Sequence, residues 1–231
     1  MRSSGVVARR SGAPAGRAVL FDFDGTLADT APDLGAAVNH LRSEKGLEPL
    51  SVDAVRPYAS MGARGLLRVG FGLTPESAEY PALRDAFLQR YDEHLCVRTS
   101  IFPGILELLE KLEAMNILWG VVTNKSARFT HRIVEALSLR PDCVVCGDST
   151  PHLKPHPASL LLAARELRRA PENCFYLGDD LRDIQAARAA GMRSVAVTWG
   201  YHSPDNDGPP TWNADALVHQ PLEVIDHLEA R

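Results

Sequence analysis

The chain has 231 residues, 45% hydrophobic and 23% charged, with a formal net charge of −4. That length makes one large domain, or a core carrying a smaller one, and the apolar content excludes disorder along the whole chain. With 25 basic against 29 acidic residues there is no basic excess to grip a phosphate backbone, so nucleic acid is excluded as a partner, and no apolar run nears the roughly 18–20 residues of a membrane span.

Residues 1–16 carry Arg2, Arg9 and Arg10, small residues and no acid. A twin-arginine export signal would need an apolar stretch next. Ser-Gly-Ala-Pro-Ala-Gly follows instead, so a disordered tail and a cytoplasmic location are expected. The run 18–23 is apolar and β-branched or aromatic and stops at Asp24-Gly25-Thr26, which predicts a buried strand ending in a polar turn. From 30 to 99 only helical patterns occur, at 33–45, 52–58, 63–69 and 81–94. Three more strand-like runs follow at 118–123, 174–178 and 194–198, with helical patterns at 103–115, 129–139, 157–167 and 181–190 between or beside them. Strands buried on both faces and alternating with helices predict an α/β fold, a Rossmann-like doubly wound parallel sheet. The core is then 17–29 and 100–231. The helical interval 30–99 is an inserted small domain that leaves and rejoins near the C-terminal end of the first strand, the ligand-binding edge of such sheets, and so sits over the site as a lid.

The four cysteines are Cys96, Cys143, Cys146 and Cys174, too few for a disulfide scaffold. Cys143 and Cys146 form a CxxC, but no second pair completes a zinc site and the stretch is apolar, so buried strand residues are expected rather than metal or redox chemistry.

Asp22 and Asp24 are two apart at a strand end and point the same way. Such carboxylates repel unless a cation or a shared proton intervenes. Gly25 permits a tight turn whose N–H groups can face an anion, and Thr26 adds a hydroxyl. A second acidic cluster, Asp179, Asp180 and Asp183, follows another buried strand. Helix capping explains one of these acids but not three. Two such clusters at the carboxyl ends of parallel strands make a site for a hard cation, and Mg²⁺ takes oxygen ligands of this sort. Thr123 and Asn124 end the strand 118–122, where their hydroxyl and amide can hold phosphate oxygens or cap a helix. Lys154, in His152-Leu-Lys-Pro-His156, can neutralise a phosphate or be an ordinary surface lysine. Arg64, in the loop Ser60-Met-Gly-Ala-Arg-Gly65, can reach the cleft as a carboxylate clamp or stand exposed at a helix start.

The four strand-end signals in this order, DxDGT, Thr-Asn, Lys-Pro and GDDxxxD, resemble the haloacid-dehalogenase superfamily from about residue 17 to 228. The resemblance implies that Asp22 is the nucleophile forming an aspartyl-phosphate and Asp24 the general acid/base. Thr123 then binds phosphate beside Asn124, and Lys154 holds nucleophile and phosphate together. Mg²⁺ is held by Asp22, the Asp24 carbonyl and Asp179, with Asp183 and Asp180 behind them, and the interval 30–99 is a C1-type helical cap. Dehalogenases and phosphonatases lack an acid at the position of Asp24, which points to a phosphatase acting on a small phosphorylated metabolite. A β-phosphoglucomutase-like enzyme would share these acids, whereas a non-catalytic protein on this fold would have lost one of Asp22, Asp24, Lys154 or Asp179.

Within the superfamily the pattern resembles phosphoglycolate phosphatases. Segments 60–64, 118–125, 178–184, 199–206 and 212–215 resemble N-acetylmuramic acid 6-phosphate phosphatases more closely. Both substrates carry a carboxylate, and nothing in the sequence announces a dimer face, so monomer and homodimer stay open.

Overall fold

The computed structural model describes residues 16–229; the expected N-terminal tail lies outside them but for Gly16. The first strand, β1 (Ala18–Phe21), leads into a short strand β2 (Ala28–Asp29) and then into four helices, α1 (Ala31–Glu44), α2 (Val52–Val55), α3 (Gly62–Phe71) and α4 (Tyr80–Glu93). The chain returns through β3 (Ser100–Ile101), α5 (Ile105–Ala114), β4 (Leu118–Val122), α6 (Ala127–Ala136) and β5 (Cys143–Val145). It continues with α7 (Ala158–Glu166), β6 (Cys174–Gly178), α8 (Leu181–Ala190), β7 (Arg193–Val197), β8 (Ala216–Val218) and α9 (Glu223–Glu229).

Six strands form one parallel sheet in the order β5-β4-β1-β6-β7-β8. β1 explains its central place: Val19 and Phe21 enter the apolar layer on one face, with Ile105, Leu108 and Ile133 of α5 and α6, while Ala18 and Leu20 enter the other, with Leu160 of α7 and Ala187 of α8. A strand apolar on both faces is stable only when covered on both. Fully burying a side chain such as Phe21 contributes ~2–3 kcal/mol. From β1 the chain builds outward to β4 and β5, then crosses to β6 on the other side, so the strand order reverses beside β1. The carboxyl ends of β1, β4 and β6 therefore meet at the crevice where open α/β sheets bind ligands.

The helical insertion hangs from a two-stranded stem, β2 pairing antiparallel with β3. Buried Asp33 at the start of α1 accepts from the Arg98 and Thr99 main-chain N–H groups at 2.9 Å each and from the Thr99 hydroxyl at 2.7 Å, fastening the exit of the insertion to its entry. The helix expected over 52–58 stops at Val55 and gives way to a tighter 3-10 turn, Arg56–Met61, because Pro57 has no N–H to continue the α-helical ladder. β2, β3, β8 and α9 were not foreseen; strands of two or three residues are too short to show a period. Cys143 and Cys146 are buried free thiols; Cys143 lies in β5 as expected, whereas Cys146 falls just past its end, in the loop that follows.

Candidate active site

Asp22 follows β1 directly, and its N–H donates to the Leu177 carbonyl of β6 at 2.8 Å, so the ladder holds the residue that ends the strand. Asp179 follows β6, and Asp183 lies one helical turn into α8. Asp22, Asp179 and Asp183 each bring one carboxylate oxygen within 4.8 Å of the others, and all three are buried. Lys154 projects into the same place, its Nζ 2.8 Å from Asp22 and 2.7 Å from Asp183. The ammonium also donates to the Tyr176 hydroxyl at 2.6 Å, and that hydroxyl donates to the Val122 carbonyl at 2.7 Å.

One cation among three buried acids leaves negative charge uncompensated. Burial, then the charges of Asp22 and Asp183, push the Asp179 carboxyl well above its usual range. Burial pushes Asp183 up to about 7; Lys154 pulls it down, while Asp22 and Asp180 push it up. Burial alone would lower Lys154, but Asp183 and Asp22 outweigh it and hold the ammonium above the ordinary lysine range. Asp22 Oδ1 is buried and accepts no well-aligned hydrogen bond although the Lys154 ammonium is near. Three buried like charges with a single ammonium among them are what a divalent cation relieves. The residues present fit Mg²⁺, and Asp183, expected only behind the ligands, belongs to the group itself.

Asp179 is held by its neighbours. It accepts from the Thr26 hydroxyl at 3.0 Å and from the Tyr201 N–H at 2.8 Å. Gly25 has φ +91°, and a Cβ there would stand 2.1 Å from Asp179 Oδ2. This revises two expectations. The Gly25 N–H donates to the Ala28 carbonyl at 3.0 Å, and the Thr26 hydroxyl is spent on Asp179, so the turn seats a carboxylate rather than presenting these donors to phosphate. Asn124 lines the catalytic cavity while its amide also closes on the Lys154 main chain, donating one N–H to the carbonyl at 3.1 Å and accepting from the N–H at 2.8 Å, which leaves its second N–H for a ligand. It sets the lysine turn. Thr123 lines the same cavity.

Asp24 faces that cavity from the other side. The Thr30 hydroxyl donates to its Oδ1, and Lys125 Nζ lies 2.9 Å from the same oxygen. Lys125, unassigned from sequence, follows Thr-Asn directly. Asp180 caps α8, accepting from the Arg182 N–H at 2.9 Å, while Asp183 accepts from the Asp180 N–H at 3.1 Å and completes a capping box. Asp180 also takes Arg182 Nε at 2.8 Å and Nη2 at 2.9 Å, and Nη2 donates to the Ser60 carbonyl of the insertion at 3.0 Å. Arg182 was missed because it reads as an ordinary helix-start arginine.

The cavity enclosed by these groups has a volume of about 210 Å³. Asp22, Asp24, Thr123, Lys154 and Arg182 line it from the core, and Leu34, Ser60 and Met61 from the insertion. Arg64 does not line it: exposed on α3, it borders an adjoining groove. The turn Arg56–Met61 brings Ser60 and Met61 to the cavity and carries Arg64 past it.

A parallel α/β core with acids and a lysine at three adjacent strand ends, roofed by a helical insertion, is the frame of a hydrolase that handles anions. The chain belongs to the haloacid dehalogenase-like hydrolase family, whose model matches residues 19–197. It is 44% identical to the N-acetylmuramic acid 6-phosphate phosphatase of Pseudomonas aeruginosa over 92% of this chain and 95% of that one. It is 45% identical to a phosphoglycolate phosphatase of Xanthomonas campestris over 90% of this chain and 94% of that one. Among solved structures it resembles a predicted phosphoglycolate phosphatase from Haemophilus somnus, with a TM-score of 0.80 and 26% identity, covering 94% of this chain and 100% of that one. The protein is a phosphatase of this family. Among the described residues no helix is long and apolar enough to cross a membrane.

Proposed function

We propose that the protein is a cytoplasmic, Mg²⁺-dependent phosphomonoesterase. It works through an aspartyl-phosphate on Asp22, and its substrate is a small carboxylate-bearing phosphate ester, 2-phosphoglycolate or N-acetylmuramic acid 6-phosphate. The observation that carries this reading is Lys154, buried between Asp22 and Asp183 at 2.8 and 2.7 Å and opening onto the same cavity as Asp24. Asp22, Asp179 and Asp183, with the Asp24 carbonyl, would hold Mg²⁺, which offsets the charge of the phosphoryl group and of the attacking carboxylate.

Asp22 attacks phosphorus through a carboxylate oxygen as the bond to the leaving oxygen breaks, and Asp24 gives that oxygen a proton. Water then attacks the aspartyl-phosphate, Asp24 takes its proton, and phosphate leaves with the Asp22 carboxylate restored. Lys154 keeps Asp22 aimed, and the Thr123 hydroxyl donates to a phosphoryl oxygen. The insertion acts as a cap: Leu34, Ser60 and Met61 shut water from the phosphoryl group.

The test is Mg²⁺-dependent phosphate release from both esters, with Asp22→Asn as blank. Turnover of either ester above the blank supports the reading, and the larger kcat/KM identifies the substrate. No release above the blank from either overturns it.

A further inference from the structure

Two cavities meet at Arg182. The inner one, about 210 Å³, contains Asp22 and Lys154. An outer groove of about 370 Å³ lies beyond, lined by Arg64, Gln185, Ser203 and Asn206 among others, and shares Met61, Asp180 and Arg182 with the first. The acids of the groove are already occupied: Asp180 by Arg182, and Asp205 by Arg68 at 2.9 Å. What it offers a ligand is arginine and amide, since the buried Ser203 hydroxyl is spent on Met61 and Asp205. Arg182 itself is fixed through Nε and Nη2 by Asp180 and the Ser60 carbonyl, while Nη1 carries no hydrogen bond among the described residues. A guanidinium already oriented, with donors to spare, recognises a carboxylate better than a mobile cation does.

We propose that the outer groove is the leaving-group subsite and that Arg182 is a specificity-determining residue that reads a carboxylate on that leaving group. The phosphoryl end occupies the inner cavity. The alcohol it leaves is of sugar size, because the groove beyond Arg182 is larger than the catalytic cavity, and the Gln185 and Asn206 amides match ring hydroxyls and an amide. A short carboxylate ester would end at Arg182 and leave the groove unused. The inference rests on the phosphatase reading.

The experiment compares kcat/KM for three esters with Mg²⁺ present. N-acetylmuramic acid 6-phosphate has ring and carboxylate, N-acetylglucosamine 6-phosphate has the ring alone, and 2-phosphoglycolate has the carboxylate without the ring. The wild-type protein is expected to prefer the first by at least about tenfold over each of the others. Arg182→Gln is expected to lower the first-to-second ratio by about tenfold or more, mainly through KM. Gln185→Trp, an exposed change on α8 that fills the groove, is expected to lower the first-to-third ratio by a similar factor. Because the Gln185 variant leaves the Asp180–Arg182 bridge alone, it still tests the groove if the Arg182 variant misfolds. Phosphate release with both ratios unmoved by the substitutions overturns the inference and leaves the phosphatase reading standing. No release from any ester overturns both.

Discussion

The Lys125 ammonium stands 2.9 Å from Asp24 Oδ1, with 9% and 13% of the two side chains exposed. The same ammonium lies 4.9 Å from the centre of the Tyr91 ring, which α4 of the insertion supplies. One lysine thus links the acid/base candidate to the roof of the cavity. Burial alone would lower Lys125, but the Asp24 charge and the Tyr91 hydroxyl outweigh it and hold it above the ordinary lysine range. Because the folded-state value is raised, the stability it contributes is full at neutral pH and is lost only above roughly 10.4. Lys125→Met is expected to lower kcat/KM by about tenfold to a hundredfold and to distort the pH–rate profile, since Asp24 loses its counter-charge. An unchanged profile would mean the pair is structural only.

Lys154→Met should cost more. It leaves Asp22 and Asp183 buried without their cation, and stranding a buried charge costs about 3–5 kcal/mol. Denaturant unfolding is expected to register that loss, and phosphate release to fall by about a thousandfold. Lys154→Arg should not restore the rate, because a planar fork does not fit the space of a compact ammonium.

Gly200→Ala tests the seat of Asp179. A Cβ at Gly200 would stand 2.1 Å from Asp179 Cβ and 2.6 Å from the Gly25 carbonyl oxygen. The expected result is a Mg²⁺ requirement about tenfold higher or more, as when the support of a metal ligand is removed. Gly46→Ala is the control: at φ +69° it is strained, but nothing lies within 4 Å of the added carbon. That variant should lose about 1 kcal/mol of stability with its Mg²⁺ response intact.

The acid cluster also sets a pH trend. Burial and mutual repulsion raise Asp179, and they push Asp183 up to about 7. Between the ordinary carboxylate range of roughly 4 and that value, the folded state keeps a proton that the unfolded chain has lost, so stability falls as pH rises. Melting temperatures without divalent cation should therefore drop across this window. Added Mg²⁺ should stabilise more at the upper end than at the lower, because the ligands must be deprotonated to bind it. A metal-free protein that gains stability across the window would contradict the assignment.

Burial pushes Cys143 up to about 12 and Cys174 up to about 11, and it raises Cys146 as well. A thiol reagent at pH of about 8 should thus modify half-buried Cys96 first and the others only on unfolding. Rapid labelling of Cys143 and Cys146 in the native protein, or stoichiometric bound zinc, would restore a metal or redox role for the CxxC pair.

Much of the molecule follows from local pattern. Apolar runs such as 18–21 and 174–178, spaced by amphipathic helices, require a parallel sheet covered on both faces. The acids after the runs 18–21 and 174–178 had to lie past strand ends; Asp22 and Asp24 both follow β1 in its turn, beyond the reach of strand alternation, and meet the cavity from different sides. The family resemblance follows from the same spacings.

Which donor serves which acceptor was decided only by the packed chain. The Gly25 N–H and the Thr26 hydroxyl read from sequence as donors to phosphate, yet both are engaged within the fold, and Asn124 spends one of its two amide N–H groups on the Lys154 carbonyl. Lys125 meets Asp24 across 101 residues of sequence, and Arg182 meets Ser60 across 122. Arg64 was placed beside the cavity by the 3-10 turn that Pro57 forces, not by its own position in a motif. Residue type and spacing state what a side chain can donate or accept. Hydrogen bonds saturate and reach about 3 Å, so only the approach of distant segments decides which of those capacities are used up and which remain for a ligand.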